Sequence, residues 1–237
     1  QSIHLWCVVG PGSYQPWRDG RHVKVAVLSR GGKDSSAAIW WAQCKGWDVT
    51  HLVTVLVVGD DSLMFQIPGT SLVEKQAELC GCSWLSVPTE GIEEEEVEDL
   101  KNVLLNINID GIVSGALRSD YQKTRLERMC EELKIKSFTP LWHQSSESHM
   151  DNLVSNGFEV MITGVSTEGL GKEWLGRILN EKNLKELKAY ASKYRFHVDG
   201  EGGEYETLVI AGPHMKGRIE LDSEIHWDGV RGHLSFN

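Results

Sequence analysis

The sequence predicts an α/β protein, with a parallel, Rossmann-like sheet in the first part of the chain and a second, smaller α/β domain after it. From residue 23 onward, apolar runs of strand length alternate with stretches in which apolar residues recur at helical spacing. This alternation is typical of a parallel sheet covered by helices. Near residue 138 the alternation starts afresh, which indicates a second unit. We expect an irregular N-terminal extension at 1–22, a first domain at 23–135, a second at 136–225 and a C-terminal tail at 226–237.

The first domain is predicted to contain four strands and four helices in alternation. Each strand is a short apolar run, and each helix has apolar residues three or four positions apart. The helix at 93–105 begins with four glutamates, which the positive end of a helix dipole favours, so we interpret them as a solvated helix start. In chain order the strands are 23–28, 49–58, 83–87 and 111–114, and the helices are 35–45, 72–80, 93–105 and 121–133.

The second domain shows a shorter version of the same pattern. We predict a helix near 146–156, a strand at 160–165, a helix at 183–194 and a strand at 208–210. The chain has no repeat of fixed period and no segment of low complexity. The fold class therefore depends on the periodic segments alone.

The composition limits the possible partners and compartment. The 237 residues carry 24 Lys+Arg against 34 Asp+Glu, a formal net charge of -10, which argues against electrostatic capture of nucleic acid or an anionic membrane. Five cysteines form no C-x-x-C pair, so neither a disulfide framework nor a zinc ribbon is indicated. No apolar stretch approaches the roughly 18 residues of a membrane span. We expect a cytoplasmic protein that binds neither membrane nor nucleic acid; its oligomeric state is not indicated.

The segment 29–36, Ser-Arg-Gly-Gly-Lys-Asp-Ser-Ser, lies between the first predicted strand and the first predicted helix. Two adjacent glycines let the backbone approach a ligand and turn its N–H groups toward it, and the helix start that follows favours an anion. We therefore predict a phosphate or pyrophosphate site to which Lys33 adds a positive charge and Asp34 a ligand for Mg²⁺. The segment is not a Walker P-loop, which needs an earlier glycine and a Ser or Thr after the Lys. The alternative is an ordinary βα turn capped by Asp34 or Ser35.

A second unusual segment, 200–207, places three carboxylates and three glycines directly before a predicted strand. Like charges this close repel one another unless a cation, a basic partner or proton uptake compensates them. A solvated acidic loop is the alternative interpretation. The segment is therefore a candidate cation site.

Together these strings resemble the diphthine:ammonia ligase (diphthamide synthase) family, a branch of the N-type ATP pyrophosphatases with an adenine nucleotide alpha-hydrolase-like fold. The likeness extends from about residue 23 to 225. The loop at 29–36 is similar to the Ser-Gly-Gly-Lys-Asp-Ser pyrophosphate loop (PP-loop) of the whole superfamily, whereas 201–207 looks like the more specific Glu-Gly-Gly-Glu-Tyr-Glu-Thr signature. Further matches are 62–66, 115–117 leading into Tyr121-Gln122 and Arg125, 140–142, 164–166 and 174–177.

The resemblance implies a translation-factor modification: an AMP-forming ligase that converts diphthine on elongation factor 2 into diphthamide with ATP and ammonium. A carboxylate is a poor electrophile at neutral pH, so the family activates it as an acyl adenylate, releases pyrophosphate, and lets ammonia displace AMP. Such catalysis depends on alignment and on neutralising charge rather than on a side-chain nucleophile. No glutaminase-like segment is recognisable, so free ammonium is the expected nitrogen source.

The resemblance also assigns roles to residues. Catalytic roles fall to Lys33, Asp34, Glu201, Glu204 and Glu206, and the Mg²⁺ ligand is Asp34. Nucleotide-binding roles fall to Ser29, Arg30, Gly31, Gly32, Lys33, Asp34, Ser35, Ser36, Thr54, Gly115 and Ala116. Substrate-binding roles fall to Tyr121, Gln122, Arg125, Trp174, Arg177, Gly202, Gly203 and Tyr205. The three glutamates would bind the ammonium nucleophile or the quaternary ammonium of diphthine, with Tyr205 or Trp174 adding a cation–π contact.

Some of these assignments have structural alternatives. Arg125 and Arg177 suit an adenylate or a carboxylate, because guanidinium binds such oxygens in bidentate fashion, but either could instead form a surface ion pair. Tyr121 and Gln122 at a helix start could orient substrate or simply pack and cap.

One position departs from the family pattern. Where the family loop begins with Ser, this chain has Arg30, with Ser29 one place earlier. This departure leaves open a non-catalytic ATP-binding module with an altered loop. Independently, the shared ATP chemistry leaves open a tRNA-modifying ATP pyrophosphatase. The second would call for a basic surface or paired cysteines, which the sequence does not show.

Overall fold

The computed structural model describes residues 22–57, 66–67 and 70–237. Apart from His22, the predicted N-terminal extension lies outside the described residues, and so do residues 62–65 of the 62–66 match. In chain order the strands are β1 (Lys24–Leu28), β2 (Asp48–Val57), β3 (Gln66–Ile67), β4 (Thr70–Ser71), β5 (Ser83–Thr89), β6 (Gly111–Ser114), β7 (Lys136–Phe138), β8 (Glu159–Val165), β9 (Tyr205–Ala211), β10 (Ser223–Trp227) and β11 (Gly232–Phe236). The helices are α1 (Lys33–Cys44), α2 (Leu72–Cys80), α3 (Glu93–Leu104), α4 (Asp120–Leu133), α5 (Ser146–Ser155) and α6 (Glu181–Tyr194), with a short 3-10 helix at Lys172–Trp174.

The chain forms two compact units, and the first is built on a five-stranded sheet. Its strands lie in the order β5-β2-β1-β6-β7, and every neighbouring pair is parallel. The predicted parallel sheet is therefore confirmed. In the central strand β1, three successive residues, Val25, Ala26 and Val27, are each 0% exposed. A strand buried on both faces needs an uninterrupted apolar run, which β1 supplies.

Helices bury the apolar side chains of this sheet. Ala26, Val53 and Ile112 pack in one cluster with Leu100 and Leu104 of α3 and with Leu126 and Met129 of α4. Burying a side chain the size of leucine contributes roughly 2 kcal/mol, so a cluster of this size secures the positions of β1 and β6. The loops at residues 29–32 and 115–119 follow directly from these two strands.

The strand order reverses at β1. The chain runs outward from β1 through β2 to β5, and then returns to the other side of β1 with β6 and β7. In open parallel sheets, ligands bind beyond the carboxyl ends of the strands at such a reversal. The loops that follow β1 and β6 are therefore the expected walls of a ligand site in this unit.

The second unit carries a four-stranded sheet in the order β10-β11-β8-β9, in which all pairs are antiparallel. It includes Gly31–Lys33 and the region from His143 to Asn237, together with α2. The second α/β unit expected from the sequence is thus present, with an antiparallel sheet. Helix α6 begins with a capping box, in which Asn180 and Asn183 exchange side-chain to backbone hydrogen bonds of 3.0 and 2.7 Å, a device that satisfies exposed amides at a helix start.

Two boundaries differ from those drawn from the sequence. Strand β7 pairs with β6, with Lys136 opposite Gly111, so the first sheet continues past residue 135. The stretch expected to be a C-terminal tail contains β11, which pairs with β8 through Gly232 and His233. Strand β7 has only three residues, too few for a period-2 pattern to be recognised. The alternation in 232–236 is short and interrupted by a histidine, although Leu234 is buried.

The discontinuity of the second unit could not be read from the sequence. Helix α2 was predicted at its observed limits, but as part of the first domain. In the structure it belongs to the second unit, where the carbonyl of Leu79 accepts a 2.8 Å hydrogen bond from the amide of Lys216. None of the helices in the described part of the chain combines the length and the apolar character needed to cross a bilayer.

Candidate functional site

In the first unit, the loop after β1 is fixed by hydrogen bonds to β2. The amide of Ser29 donates to the carbonyl of Val53 at 2.9 Å, and the hydroxyl of Thr54 donates to the carbonyl of Ser29 at 2.8 Å. The indole of Trp84 donates to the same Thr54 hydroxyl at 3.0 Å. The buried Thr54 hydroxyl therefore donates one hydrogen bond and accepts another, and through the first it holds the loop in position. A direct contact between Thr54 and the nucleotide stays a prediction.

Three serine hydroxyls collect at the start of α1. Ser29 donates to Ser35 at 3.1 Å, and both side chains are buried. The hydroxyl of Ser36 is fully buried and has no hydrogen-bond partner among the residues that the structure describes. A buried hydroxyl without a partner is costly, so its presence in the first turn of a helix fits a site built for a polar ligand. Arg30 is exposed and does not come between the Ser29 and Ser35 hydroxyls.

The loop after β6 approaches the same helix start. A Cβ at Gly115 would lie 2.6 Å from the carbonyl carbon of Asp34 and 2.9 Å from the amide nitrogen of Ser35. No real side chain tolerates such distances to main-chain atoms, so only glycine permits this packing. The next residue, Ala116, donates its amide to the Ser114 hydroxyl at 3.3 Å. The two loops expected from the strand reversal thus meet at the N-terminus of α1.

In the second unit, Gly31 to Lys33 run beside the edge of β9. The amide of Val209 donates to the carbonyl of Gly31 at 2.9 Å. The side-chain amide of Gln76, on α2, donates to the carbonyls of Gly31 at 3.0 Å and Val209 at 2.7 Å. Gly31 has a φ of 84°, in the region that glycine adopts without strain. Gln76 is a positioning residue that the sequence analysis missed, because a single glutamine in an amphipathic helix carries no distinguishing signal.

The next two residues contact the signature segment directly. The amide of Lys33 donates to the Thr207 hydroxyl at 3.2 Å, and a Cβ on Gly32 would lie 3.3 Å from the Thr207 carbonyl oxygen. The ammonium of Lys33 lies 5.9 Å from the centre of the Tyr205 ring. Lys33 is only 6% exposed, so its charge is held in a largely desolvated place. Tyr205 is buried as well, and its hydroxyl donates to the Val198 carbonyl at 2.6 Å.

The three glutamates of the signature have different environments. Glu201 and Glu206 are exposed. One carboxylate oxygen of Glu204 accepts a 2.9 Å hydrogen bond from the amide of His197, while its other oxygen is buried and has no partner within the described part of the chain. Asp199, which is 0% exposed, accepts a 3.4 Å hydrogen bond from the amide of Glu201. This aspartate was not among the residues expected at the site, although it directly precedes Gly200.

The glycines of the signature shape the turn that presents these acids. The carbonyl of Gly203 accepts a 2.6 Å hydrogen bond from the Ser166 hydroxyl, and a Cβ on Gly202 would lie 2.6 Å from a carboxylate oxygen of Glu204. Gly203 has a φ of 80°, in the region that favours glycine, whereas the close neighbour of Gly202 is the flexible end of a side chain. A direct contact of either glycine with substrate stays a prediction.

Trp174 and Arg177 are occupied inside the second unit. Trp174 is 0% exposed and makes an edge contact with Tyr190. The guanidinium of Arg177 lies 4.4 Å from the centre of the Trp174 ring and donates to Glu186 at 2.9 Å. Arg177 thus forms an ion pair, as in the structural alternative, and its own guanidinium lies over the buried Trp174 ring. The substrate-binding roles of both residues stay predictions.

Tyr121 and Arg125 form an exposed pair in the first unit. Tyr121 is 51% exposed, and the guanidinium of Arg125 lies 4.2 Å from the centre of its ring. Their position near the start of α4, just after the Gly115 loop, keeps a substrate role open. Gln122 lies in the same helix, but its side chain is outside the described residues.

Metal binding was expected at Asp34. The residue lies half-buried in the first turn of α1. The described residues contain no group of three or more His, Cys, Asp or Glu side chains placed so that they could hold a metal ion. Because Mg²⁺ is commonly bound by one or two carboxylates together with substrate phosphates, a single aspartate beside an anion site fits that ion better than a preformed cage would.

Comparison with known proteins identifies the family. The family profile described as the diphthamide synthase N-terminal domain matches residues 23–137, and the profile of the diphthamide synthase C-terminal domain matches residues 145–237. The chain belongs to the diphthamide synthase family. The resemblance expected from the PP-loop and the Glu-Gly-Gly-Glu-Tyr-Glu-Thr signature is thereby confirmed. The C-terminal profile extends through β10 and β11, which the sequence analysis had left out of the likeness.

Relatives named diphthine–ammonia ligase support this membership. The chain is 30% identical to that of Danio rerio, over 90% of this chain and 93% of the relative, and 32% identical to that of Homo sapiens, over 85% and 84%. It is 34% identical to that of Schizosaccharomyces pombe over 86% of this chain, but spans only 37% of that longer protein. A crystal structure of a predicted subunit of tRNA methyltransferase from Methanocaldococcus jannaschii matches with a TM-score of 0.44 at 18% identity, covering 83% of this chain and 100% of that one. At this level the structural match carries no argument about function.

Proposed function

We propose that this protein is an ATP-dependent ligase that converts diphthine on elongation factor 2 into diphthamide, using ammonium as the nitrogen source. The observation that carries the proposal is the match of both halves of the chain to the diphthamide synthase domains. Relatives that align over most of their own length are named for this reaction. ATP is a substrate here, because it is converted to AMP and pyrophosphate.

The reaction proceeds in two balanced steps. In the first, a carboxylate oxygen of diphthine attacks the α-phosphorus of ATP, a bond to that phosphorus forms, and pyrophosphate leaves with the electrons of the broken P–O bond. In the second, the nitrogen of ammonia attacks the acyl carbon, AMP leaves, and the nitrogen loses a proton. Neither step needs a nucleophilic side chain, so the protein contributes alignment and charge neutralisation.

The loop residues are suited to the first step. The amides in the first turn of α1 point toward its N-terminus and favour a phosphate there. The buried hydroxyls of Ser29, Ser35 and Ser36 supply donors, and the desolvated ammonium of Lys33 supplies a full positive charge. Because charge is screened less in a desolvated place, Lys33 stabilises the leaving pyrophosphate more than an exposed lysine would. We assign these four residues, with Gly31 and Gly32, to pyrophosphate binding.

Asp34 and the signature glutamates would handle the cations of the reaction. Asp34 would hold Mg²⁺, which when bound would neutralise part of the charge on the phosphate oxygens. Glu201, Glu204 and Glu206 would hold ammonium or the quaternary ammonium of diphthine. The unpartnered buried oxygen of Glu204 supports such a role, since an ionised oxygen without a donor is unfavourable until a cation or a proton donor reaches it.

Cytoplasmic location and the elongation-factor partner belong to the same proposal. Both follow from the reaction, because the acceptor is a translation factor. The geometry favours a loop that can bind pyrophosphate over a loop blocked by Arg30, since Arg30 is exposed. A purely non-catalytic module and a tRNA substrate therefore have no specific observation in their favour.

Isotope exchange tests the first chemical step. With labelled pyrophosphate, ATP and diphthine-bearing elongation factor 2, but without ammonium, the protein should return label to ATP, because adenylate formation is reversible. Unmodified elongation factor 2, which lacks the carboxylate, is the matched control. The acyl-adenylate mechanism would be refuted by label exchange that is equally fast with the unmodified factor. It would also be refuted if no exchange occurred although ATP binds.

A further inference from the structure

The second unit contains a groove of about 590 Å³, and its lining includes Glu206 of the signature. It is lined by residues of β8 and β9 and by the β10–β11 hairpin. Most of this hairpin lies in the stretch 226–237, which was expected to be a C-terminal tail. The groove thus brings the hairpin next to β9, the strand that carries the end of the signature.

A row of four residues crosses the sheet at this groove. Glu206 on β9 is opposite Gly164 on β8, Gly164 is opposite His233 on β11, and His233 is opposite His226 on β10. Directly opposed residues of neighbouring strands present their side chains to the same face of a sheet. One face of the sheet thus carries a carboxylate, a glycine and two imidazoles in that order.

Gly164 forms the floor of the groove because it has no side chain. A Cβ at this position would lie 3.4 Å from the Cβ and 3.6 Å from the Cγ of Glu206, so the stem of the Glu206 side chain borders the floor of the groove. Neighbouring strands are spaced about 4.8 Å apart, which separates the backbones of Glu206 and His233 by about 10 Å. That gap accepts a compact organic cation between the two walls.

The two walls differ in chemistry. One is the exposed carboxylate of Glu206. The other is a stacked imidazole pair, in which the ring centres of His226 and His233 are 5.0 Å apart at an angle of 23°. His226 is held by a 2.8 Å hydrogen bond with Ser235. Ring faces and a carboxylate on one face of a sheet suit a quaternary ammonium, which has no N–H to donate and is attracted by charge and by ring faces.

The hairpin that carries the imidazoles has a well-defined turn. The carboxylate of Asp228 accepts hydrogen bonds from the amides of Val230 at 2.8 Å and Arg231 at 2.7 Å. These bonds hold the pKa of Asp228 below its usual range, so the turn keeps its charge and its shape. The imidazole wall is therefore supported from the end of the hairpin.

We propose that the groove over Gly164 binds the quaternary ammonium group of the acceptor side chain, between the Glu206 carboxylate and the stacked His226–His233 pair. The inference rests on the proposed function for the identity of the acceptor. It assigns the aromatic surface to the imidazole pair rather than to Trp174, which is 0% exposed, or to Tyr205, which lines the groove but is only 4% exposed. A metal ion is the less suitable occupant, since the described residues form no group of three metal-ligating side chains.

Direct binding tests the site without any turnover. Tetramethylammonium chloride, titrated into the full protein with potassium chloride as the ionic-strength control, should shift the backbone amide resonances of the Gly164 and His233 region. His233→Ala should weaken this binding about fivefold, in keeping with the loss of an aromatic contact to a cation. Gly164→Val should abolish it by filling the floor. Glu224→Gln, which removes a carboxylate on β10 that does not line the groove, should have no effect.

Kinetics then separate this inference from the proposed function. Tetramethylammonium should compete with diphthine-bearing elongation factor 2 but not with ATP, and His233→Ala should raise the KM for the acceptor while leaving the KM for ATP unchanged. If the wild-type protein forms no AMP with this acceptor, yet tetramethylammonium binding is still lost in Gly164→Val, the reaction is wrong and the cation site stands. If tetramethylammonium binds wild type, His233→Ala and Gly164→Val equally, or shifts resonances elsewhere, the cation site is wrong whatever the reaction.

Discussion

The backbone amide of Lys33 donates a 3.2 Å hydrogen bond to the side-chain hydroxyl of Thr207, a residue 174 positions later in the chain. The bond joins the Gly-Gly-Lys segment to the strand that carries the Glu-Gly-Gly-Glu-Tyr-Glu-Thr signature. Both motifs are therefore parts of one local structure in the second unit. Their roles should be coupled, so damage to one contact should be measurable in the binding that the other motif supports.

Thr207→Val keeps the shape of the side chain and removes the acceptor for the Lys33 amide. We expect a loss of about 1–3 kcal/mol in the free energy of unfolding, because a buried donor loses its partner, and a rise in the KM for ATP. Denaturant unfolding and steady-state kinetics measure the two effects. Thr207→Ser retains the hydroxyl and should stay close to wild type; equal behaviour of both variants would show that the hydrogen bond is unimportant.

Gly115→Ala would place a Cβ 2.7 Å from the carbonyl oxygen of Asp34. The start of α1 must then shift, and we expect a stability loss of about 1–3 kcal/mol together with markedly weaker ATP binding by calorimetry. Gly46→Ala is the matched control: Gly46 has a φ of 71° and open space around it, so alanine there costs about 1 kcal/mol of backbone strain without touching the loop. Weaker ATP binding in both variants would mean that general destabilisation, rather than the geometry of the loop, is responsible.

Arg30 is the position at which this chain departs from the family loop. Because its side chain is exposed, we expect Arg30→Ser to retain AMP formation and to weaken product inhibition by pyrophosphate about two- to fivefold, the range for one exposed charge. Arg128→Ser, on the exposed side of α4, controls for the loss of net charge. If AMP forms only after Arg30→Ser, the native arginine obstructs the loop and the non-catalytic interpretation is right.

His214 should make the stability of the second unit depend on pH. Burial lowers the pKa of this imidazole from 6.5 to about 3, and its ring stacks on Phe158 with ring centres 5.3 Å apart. As pH falls through 6.5 the unfolded chain takes up a proton that the folded protein excludes, so the free energy of unfolding decreases, by up to about 1.4 kcal/mol per pH unit. The decrease continues toward pH 3.

Denaturant unfolding between pH 7 and pH 5 measures this contribution above the range in which most carboxylates titrate. His214→Phe keeps an aromatic ring against Phe158 and removes the titrating group, so its stability should fall less steeply over the same interval. Parallel pH profiles for the variant and wild type would show that His214 is not the group responsible.

The periodic parts of the chain were predictable because the pattern of apolar residues in each segment shows which face is buried. Strand β6 and helix α2 were predicted at their observed limits, since a short apolar run and an amphipathic pattern each leave few alternatives. These features depend on local sequence. Gly115 was expected to bind nucleotide, and its close packing against the main chain of Asp34 and Ser35 was not predicted.

The features that the sequence did not predict depend on contacts between residues far apart in the chain. Nothing in the residues around Trp174 shows that its ring faces the core, and the Gln76 amide gains its importance only from Gly31 and Val209. The His226–His233 pair forms only when two short strands align. Residues whose function arises from such pairing cannot be selected from composition or spacing.

Product analysis tests directly whether the protein converts diphthine into diphthamide with release of AMP and pyrophosphate. The protein is incubated with ATP, ammonium and diphthine-bearing elongation factor 2, and both the nucleotide products and the mass of the acceptor are measured. We expect sustained turnover to AMP and pyrophosphate in equal amounts only when all three substrates are present, with an acceptor mass change that corresponds to conversion of one carboxylate into an amide. ADP as the product, or AMP formed without any change in the acceptor, would contradict it.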